Sequence, residues 1–257
     1  MECAVSFVPP EDLRQAVSYT GATGKKRVLF IHGFTGSPQT LVPQYMSAIE
    51  AGYSVEVPLL AGHGTKLEDM VTTRYGDYFE DVKHAIDRLS PNGEETTVVA
   101  ISMGGTLALD LALVDPRVSG MVLINPLVLT PAPSFLDMID QAIAAGIEIA
   151  PAIGSDIADP EVGEASYDGV PIRAARSLYE ATELLAPKVV GLSTPTLLFN
   201  SLTDHVVLPE NGDYLEKSLS EVTRVMLERS FHVATLDFDK EIINLGMLEF
   251  LRRHRAE

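Results

Sequence analysis

Short apolar, β-branched runs alternate with stretches of helical spacing along most of this chain, which predicts a parallel sheet covered by helices. Arg27–His32 (RVLFIH) reads as a buried strand. The turn Gly33-Phe34-Thr35-Gly36-Ser37-Pro38 follows and opens a helix over roughly 38–50. Gly52–Val57 is a second strand and leads into a loop at Pro58–Thr65. Asp77–Leu89 sets Phe79, Val82, Ile86 and Leu89 at helical spacing. Thr96–Ile101 then reads as strand, 103–114 as helix, and Val118–Ile124 as strand, ended by Asn125-Pro126.

Between about 126 and 192 the pattern changes. No buried strand is expected there, and Pro131, Pro133, Pro151, Pro160, Pro171 and Pro187 punctuate helical pieces. Within 134–149, Phe135, Met138, Ile139, Ala142 and Ile143 fall on one apolar stripe, expected to divide between core packing and an acyl tunnel. The sheet resumes at Pro195–Phe199. A helix near 209–219 follows, Thr223–Leu227 is the last strand, and an amphipathic helix over 237–252 closes the chain. The simplest account is one α/β domain over 1–257, a mostly parallel central sheet flanked by helices, with a helical cap inserted at about 126–192.

Composition narrows the partners. A chain of 257 residues, 46% hydrophobic, can bury a sizeable core. Its formal charge of −17 makes nucleic acid and anionic lipid surfaces poor partners and leaves neutral substrates unaffected. The single cysteine, Cys3, excludes an intrachain disulfide framework and any Cys-rich metal site. Glu2, Pro9, Pro10, Glu11 and Asp12 break any signal-like stretch, and no apolar run approaches about 18 residues. A soluble, cytoplasmic protein without stable membrane insertion is the expectation.

Candidate chemistry centres on Val98-Val99-Ala100-Ile101-Ser102-Met103-Gly104-Gly105. One serine stands at a sharp strand-to-helix junction, where its hydroxyl is pushed out of the sheet beside the Met103 N–H and the positive end of the next helix. Ala100 stands where the G-x-S-x-G pattern has its first glycine, a change of one methyl. A serine hydroxyl needs a base. Among six histidines, His232 follows the last strand and so lies at the carboxyl edge of the sheet, where ligands bind in parallel α/β folds. Asp204 follows the strand Pro195–Phe199 and can orient that histidine, although Thr203-Asp204 also suits an ordinary turn. The chain order Ser102, Asp204, His232 is that of the α/β-hydrolases. Phe34, in His32-Gly33-Phe34-Thr35-Gly36, is expected to offer a backbone N–H that pairs with that of Met103 as an oxyanion hole. His32 and His63 read as structural loop residues, His205 as a loop residue, and His254 as part of a solvated basic tail. No metal motif, phosphate loop or dinucleotide fingerprint is present, so no cofactor is expected.

With these residues in place, the chain resembles the α/β-hydrolase superfamily and, within it, bacterial monoacylglycerol lipases and related carboxylesterases. The resemblance runs from about Arg27 to Leu251 through HGFTG at 32–36, LLAGHGT at 59–65, ISMGGTL at 101–107, IGSD at 153–156, TDHVV at 203–207 and FHVATLDFD at 231–239. It implies Ser102 as nucleophile, Asp204 as acid, His232 as base, and Phe34 and Met103 as oxyanion donors. It further implies that Glu164, in the cap, reads the glycerol hydroxyls, with Asn125 a weaker substrate-binding candidate. The expected reaction is two-step hydrolysis of a monoacylglycerol through an acyl-enzyme, and the only lipid contact expected is a transient one through the cap. A general short- or medium-chain carboxylesterase would use the same triad. A non-catalytic binding protein on this fold is the third reading.

Overall fold

The computed structural model describes residues 7, 9–22, 27–152 and 155–253; Cys3, His254 and the Ile153-Gly154 half of one motif lie outside them. In chain order these form β1 (Val17–Tyr19), β2 (Arg27–Ile31), α1 (Val42–Glu50), β3 (Ser54–Val57), α2 (Tyr75–Leu89), β4 (Thr96–Ile101), α3 (Met103–Val114) and β5 (Val118–Ile124). There follow α4 (Pro133–Ala144), β6 (Ile149–Pro151), β7 (Gly169–Pro171), α5 (Ile172–Leu185), β8 (Thr196–Ser201), α6 (Glu210–Ser218), β9 (Val222–Leu227) and α7 (Lys240–Arg253).

Seven strands make one sheet in the order β1-β3-β2-β4-β5-β8-β9. Every neighbouring pair is parallel except β1 with β3, where Val17 pairs with Val57 and Tyr19 with Val55. The strands' apolar runs are continuous because both faces are covered. In β4, Val98 and Ala100 enter the layer with α2 and α3, while Val99 and Ile101 enter the layer with α1 and α7. Helix α3 is buried nearly all round, its Leu107, Leu109 and Leu111 fully shielded.

Several elements depart from the sequence reading. The helix expected over 38–50 is a 3₁₀ turn (Pro38–Leu41) followed by α1, because Pro43 is accommodated only in the first turn of a new helix. Strand β1 has three residues and no alternation long enough to stand out. Between β5 and β8, β6 and β7 pair as a small antiparallel ribbon. In the same segment α5 buries Ile172, Ala174, Ala175, Leu178 and Leu185, whereas α4 buries only Ile139. Phe135 and Met138 of its stripe remain 41% and 55% exposed, since α4 rests on α5 rather than on the sheet.

Candidate active site

Chain reversal between β4 and α3 puts Ser102 at φ 56°, ψ −122°. A non-glycine residue held there costs about 1–3 kcal/mol, so neighbours must enforce it. They do: Ser102 N–H donates to Ile124 O at 3.1 Å, and Ser102 O accepts from Gly105 N–H at 2.8 Å and Leu127 N–H at 3.2 Å. Helix α3 can leave the strand this steeply because Gly104 lacks a side chain; a Cβ there would stand 2.2 Å from Ile31 O. Ala100 is fully buried beside Met103 and Leu107, so its methyl is accommodated in the core.

The loop after β2 lies over the serine. A Cβ on Gly33 would reach 3.4 Å from Ser102 Cβ and 3.9 Å from its Oγ, so glycine keeps that approach open. Two buried histidines hold the loop from beneath. His32 Nε2 accepts from Leu60 N–H at 3.2 Å, which leaves Nδ1–H to donate to Gly33 O at 2.9 Å. His63 Nε2 accepts from Thr35 N–H at 3.1 Å, and its Nδ1–H donates to Ala61 O at 2.9 Å. Burial pushes His32 down to about 3, reinforced by repulsion from His63, and burial pushes His63 down to about 4. Both are neutral pegs near neutral pH. Tyr78, which the sequence did not mark, completes the floor with its ring 5.3 Å from His63 and 6.4 Å from Phe34. Among the described residues, neither Phe34 N–H nor Met103 N–H has a protein acceptor, whereas Thr35 N–H beside them is taken.

At the same carboxyl edge, β8 and β9 deliver the second pair. His232 Nδ1 meets Asp204 Oδ2 at 2.8 Å, both side chains buried. The other oxygen, Asp204 Oδ1, accepts from Val206 N–H (2.9 Å) and Val207 N–H (2.7 Å), so this residue makes the turn and holds the imidazole at once. Asn125 lies beneath the pair. Its Nδ2 donates to Ser201 Oγ (2.9 Å) and His232 O (2.8 Å), and its Oδ1 accepts from Ser201 N–H (2.8 Å). Both amide hydrogens are thereby committed to tying β5, β8 and the His232 loop together, rather than to a ligand.

Buried carboxylates organise the rest. Asp237 accepts from four backbone N–H groups, those of Ala158, Asp159, Phe231 and Phe238, at 2.8–3.1 Å. Asp239 accepts from Arg229 and Ser230 N–H at 2.9 and 3.0 Å. The loop carrying Glu164 is laced to the loop after β2. Gln39 donates to Gly163 O (3.3 Å) and accepts from Ala165 N–H (3.0 Å), Ser37 Oγ donates to Ala165 O (3.1 Å), and Tyr167 N–H donates to Thr35 O (3.1 Å). Tyr167 OH also donates to Gly62 O at 2.8 Å. Glu164 Oε1 consequently lies 3.2 Å from where a Gly36 Cβ would be. Burial raises the Glu164 carboxyl above its ordinary range, opposed by the charge of His232 and by hydrogen bonds from Ser166 and Ser155.

Ser102, the two unpaired N–H groups, the Asp204–His232 pair and Glu164 thus share one edge of the sheet. A cavity of about 280 Å³ lined by Arg74, Asp140, Arg173, Arg176 and Glu180 shares none of these residues. No group of three or more metal-ligating side chains is assembled among the described residues. No helix among them is long and apolar enough to cross a membrane.

Comparison with known proteins finds relatives that span nearly the whole chain. The family profile described as serine aminopeptidase, S33 (Hydrolase_4) matches residues 22–239. A thermostable monoacylglycerol lipase from Bacillus sp. (strain H-257) is 36% identical over 247 residues, which cover 94% of this chain and 96% of that protein. A carboxylesterase from Bacillus subtilis (strain 168) is 25% identical over 244 residues, 91% and 96% of the two chains. Among solved structures, one described under LipS and LipT, two metagenome-derived lipolytic enzymes, superposes with a TM-score of 0.87 at 32% identity, covering 94% of this chain and 98% of the other.

Proposed function

Since this chain belongs to the serine aminopeptidase S33 (Hydrolase_4) family and has the α/β-hydrolase fold, we propose that it hydrolyses monoacylglycerols to fatty acid and glycerol through Ser102, His232 and Asp204. The chain is a carboxylic ester hydrolase; the substrate and residue roles are our reading. One observation carries it: the buried 2.8 Å His232–Asp204 contact stands at the strand edge that also presents Ser102 in its strained turn.

In this reading Ser102 Oγ attacks the ester carbonyl while His232 Nε2 takes its proton. Asp204 fixes the tautomer with hydrogen on Nδ1 and stabilises the imidazolium that forms. Phe34 and Met103 N–H receive the oxyanion, a contribution of about 3–4 kcal/mol per donor in such sites. His232 returns the proton to the departing glycerol oxygen, leaving the acyl group on Ser102. Water then gives His232 a proton, attacks the acyl carbon and releases the fatty acid, and the proton passes back to Ser102. Glu164 supplies the headgroup contact: a half-buried carboxylate with acceptor oxygens facing Gly36 suits vicinal hydroxyls. The segment at about 126–192 acts as the cap, and its exposed Phe135 and Met138 suit brief contact with a lipid interface.

The test compares kcat/KM for monolauroylglycerol and methyl laurate, with Ser102→Ala as background. Ser102→Ala is expected to fall at least about a thousandfold on both esters. The unmodified enzyme should prefer the glyceryl ester, and Glu164→Gln should lose most of that preference. Equal rates on both esters would leave a general carboxylesterase, the activity named for the Bacillus subtilis relative.

A further inference from the structure

The His232–Asp204 contact has a mechanical weakness. Asp204 cannot follow its partner, because its second oxygen is already fixed by Val206 and Val207 N–H. The contact survives only if the loop after β9 is locked in place relative to the loop after β8. Asn125 ties the two from beneath.

From the other side a single carboxylate does so. Asp156, whose side chain is 9% exposed, comes from the β5–β8 segment. Its Oδ2 accepts from His232 N–H at 3.1 Å and from His205 N–H at 3.1 Å. Its Oδ1 meets His205 Nδ1 at 2.8 Å, and its carbonyl accepts from Val233 N–H at 3.0 Å. The His205 ring in turn meets Phe231 edge-on at 4.8 Å. One residue therefore grips the backbone of the base itself and the residue next to the acid.

We infer that Asp156 is a positioning residue for the reaction, setting the distance between the Asp204 and His232 loops; this rests on the triad proposed above. A base displaced by about 1 Å can lose roughly a hundredfold in rate, so a clasp on its main chain acts on turnover more than on substrate binding. Asparagine at 156 can keep the clasp. Its amide oxygen takes the two N–H groups, and its NH₂ donates to His205 Nδ1 once the imidazole carries its hydrogen on Nε2.

The experiment measures kcat and KM on methyl laurate, together with the rate at which a fluorophosphonate probe labels Ser102, all well below the melting temperature of each variant. Asp156→Ala is expected to lower kcat and the labelling rate about tenfold to a hundredfold with KM within about twofold, and Asp156→Asn to restore both to within about threefold. Labelling of Asp156→Ala as fast as the unmodified enzyme, or a loss confined to KM, overturns the inference. If Asp156→Ala does not fold, Asp156→Thr, with one hydroxyl oxygen for two N–H groups, reads the same quantity and the same outcomes apply. An unmodified enzyme that does not label at Ser102 sinks the triad itself, a different result from normal labelling that is insensitive to position 156.

Discussion

Helix α3 and the loop over 155–167 border the same site and are held by opposite means. Eight of the twelve residues of α3 are buried, each large one contributing about 1.5–3 kcal/mol by leaving water. In 155–167 no residue is fully buried; the loop is fixed by Asp237, Gln39, Ser37, Thr35 and the partners of Asp156. Apolar burial is non-directional and tolerates exchange of one hydrophobe for another. Hydrogen bonds fix register, and register is what the placement of Glu164 requires.

The contrast can be broken from either side. Gly104→Ala should do the most damage: the new methyl meets Ile31 O, a backbone atom that cannot swing aside, at 2.2 Å, and α3 must tilt away from the sheet. A loss of about 4 kcal/mol or more is expected in urea unfolding, with activity lost in step. Unchanged stability would show that the helix has room the geometry denies. Asp237→Ala tests the wired side. Four N–H groups lose their acceptor, and about 3 kcal/mol should go, less than for Gly104→Ala because the loop can turn some of them to water. Its diagnostic is selectivity: glyceryl preference should fall further than turnover of methyl laurate.

The smallest effect sharpens the comparison through pH. His32 and His63 are held neutral in the fold, at about 3 and about 4, against about 6.5 in the unfolded chain. Their folded values are depressed, so the unfolded state binds more protons below 6.5. The stability linked to these groups is present above that value and lost as pH falls toward 4 and 3. At pH 5.5 each should cost about 1.4 kcal/mol relative to pH 7.5. Urea midpoints at the two pH values should show that loss, and His63→Gln should halve it. A loss in His63→Gln as large as in the unmodified protein would place the titration elsewhere.

The two regions also differ in what the sequence discloses. Thr96–Ile101, 103–114 and Val118–Ile124 match β4, α3 and β5 at both ends, because burial writes itself as an apolar run. Ser102, Asp204 and His232 were visible through their order and their places at strand ends. Asp156 and Asp237 lay inside two of the quoted motifs, IGSD and FHVATLDFD, but no role could be read for either. In a chain with 36 acidic residues, nothing in composition marks the ones that collect backbone N–H groups. Gln39 and Tyr167 were silent because their partners lie more than a hundred residues away in sequence. The α4 stripe, expected to divide between core packing and an acyl tunnel, buries only Ile139 and leaves Phe135 and Met138 exposed.

The strand order holds a further consequence. Chains emerge from the ribosome N-terminus first, and β4 with its serine is complete more than a hundred residues before β9 and His232 exist. β8 and β9 then add in succession at one edge of the sheet. From β2 through β4, β5 and β8 to β9, the order across the sheet is also the order of synthesis. From the synthesis of Ser102 until that of His232, the serine stands without the base proposed for it, and α7 with its buried Ile243, Met247 and Leu251 is still to come.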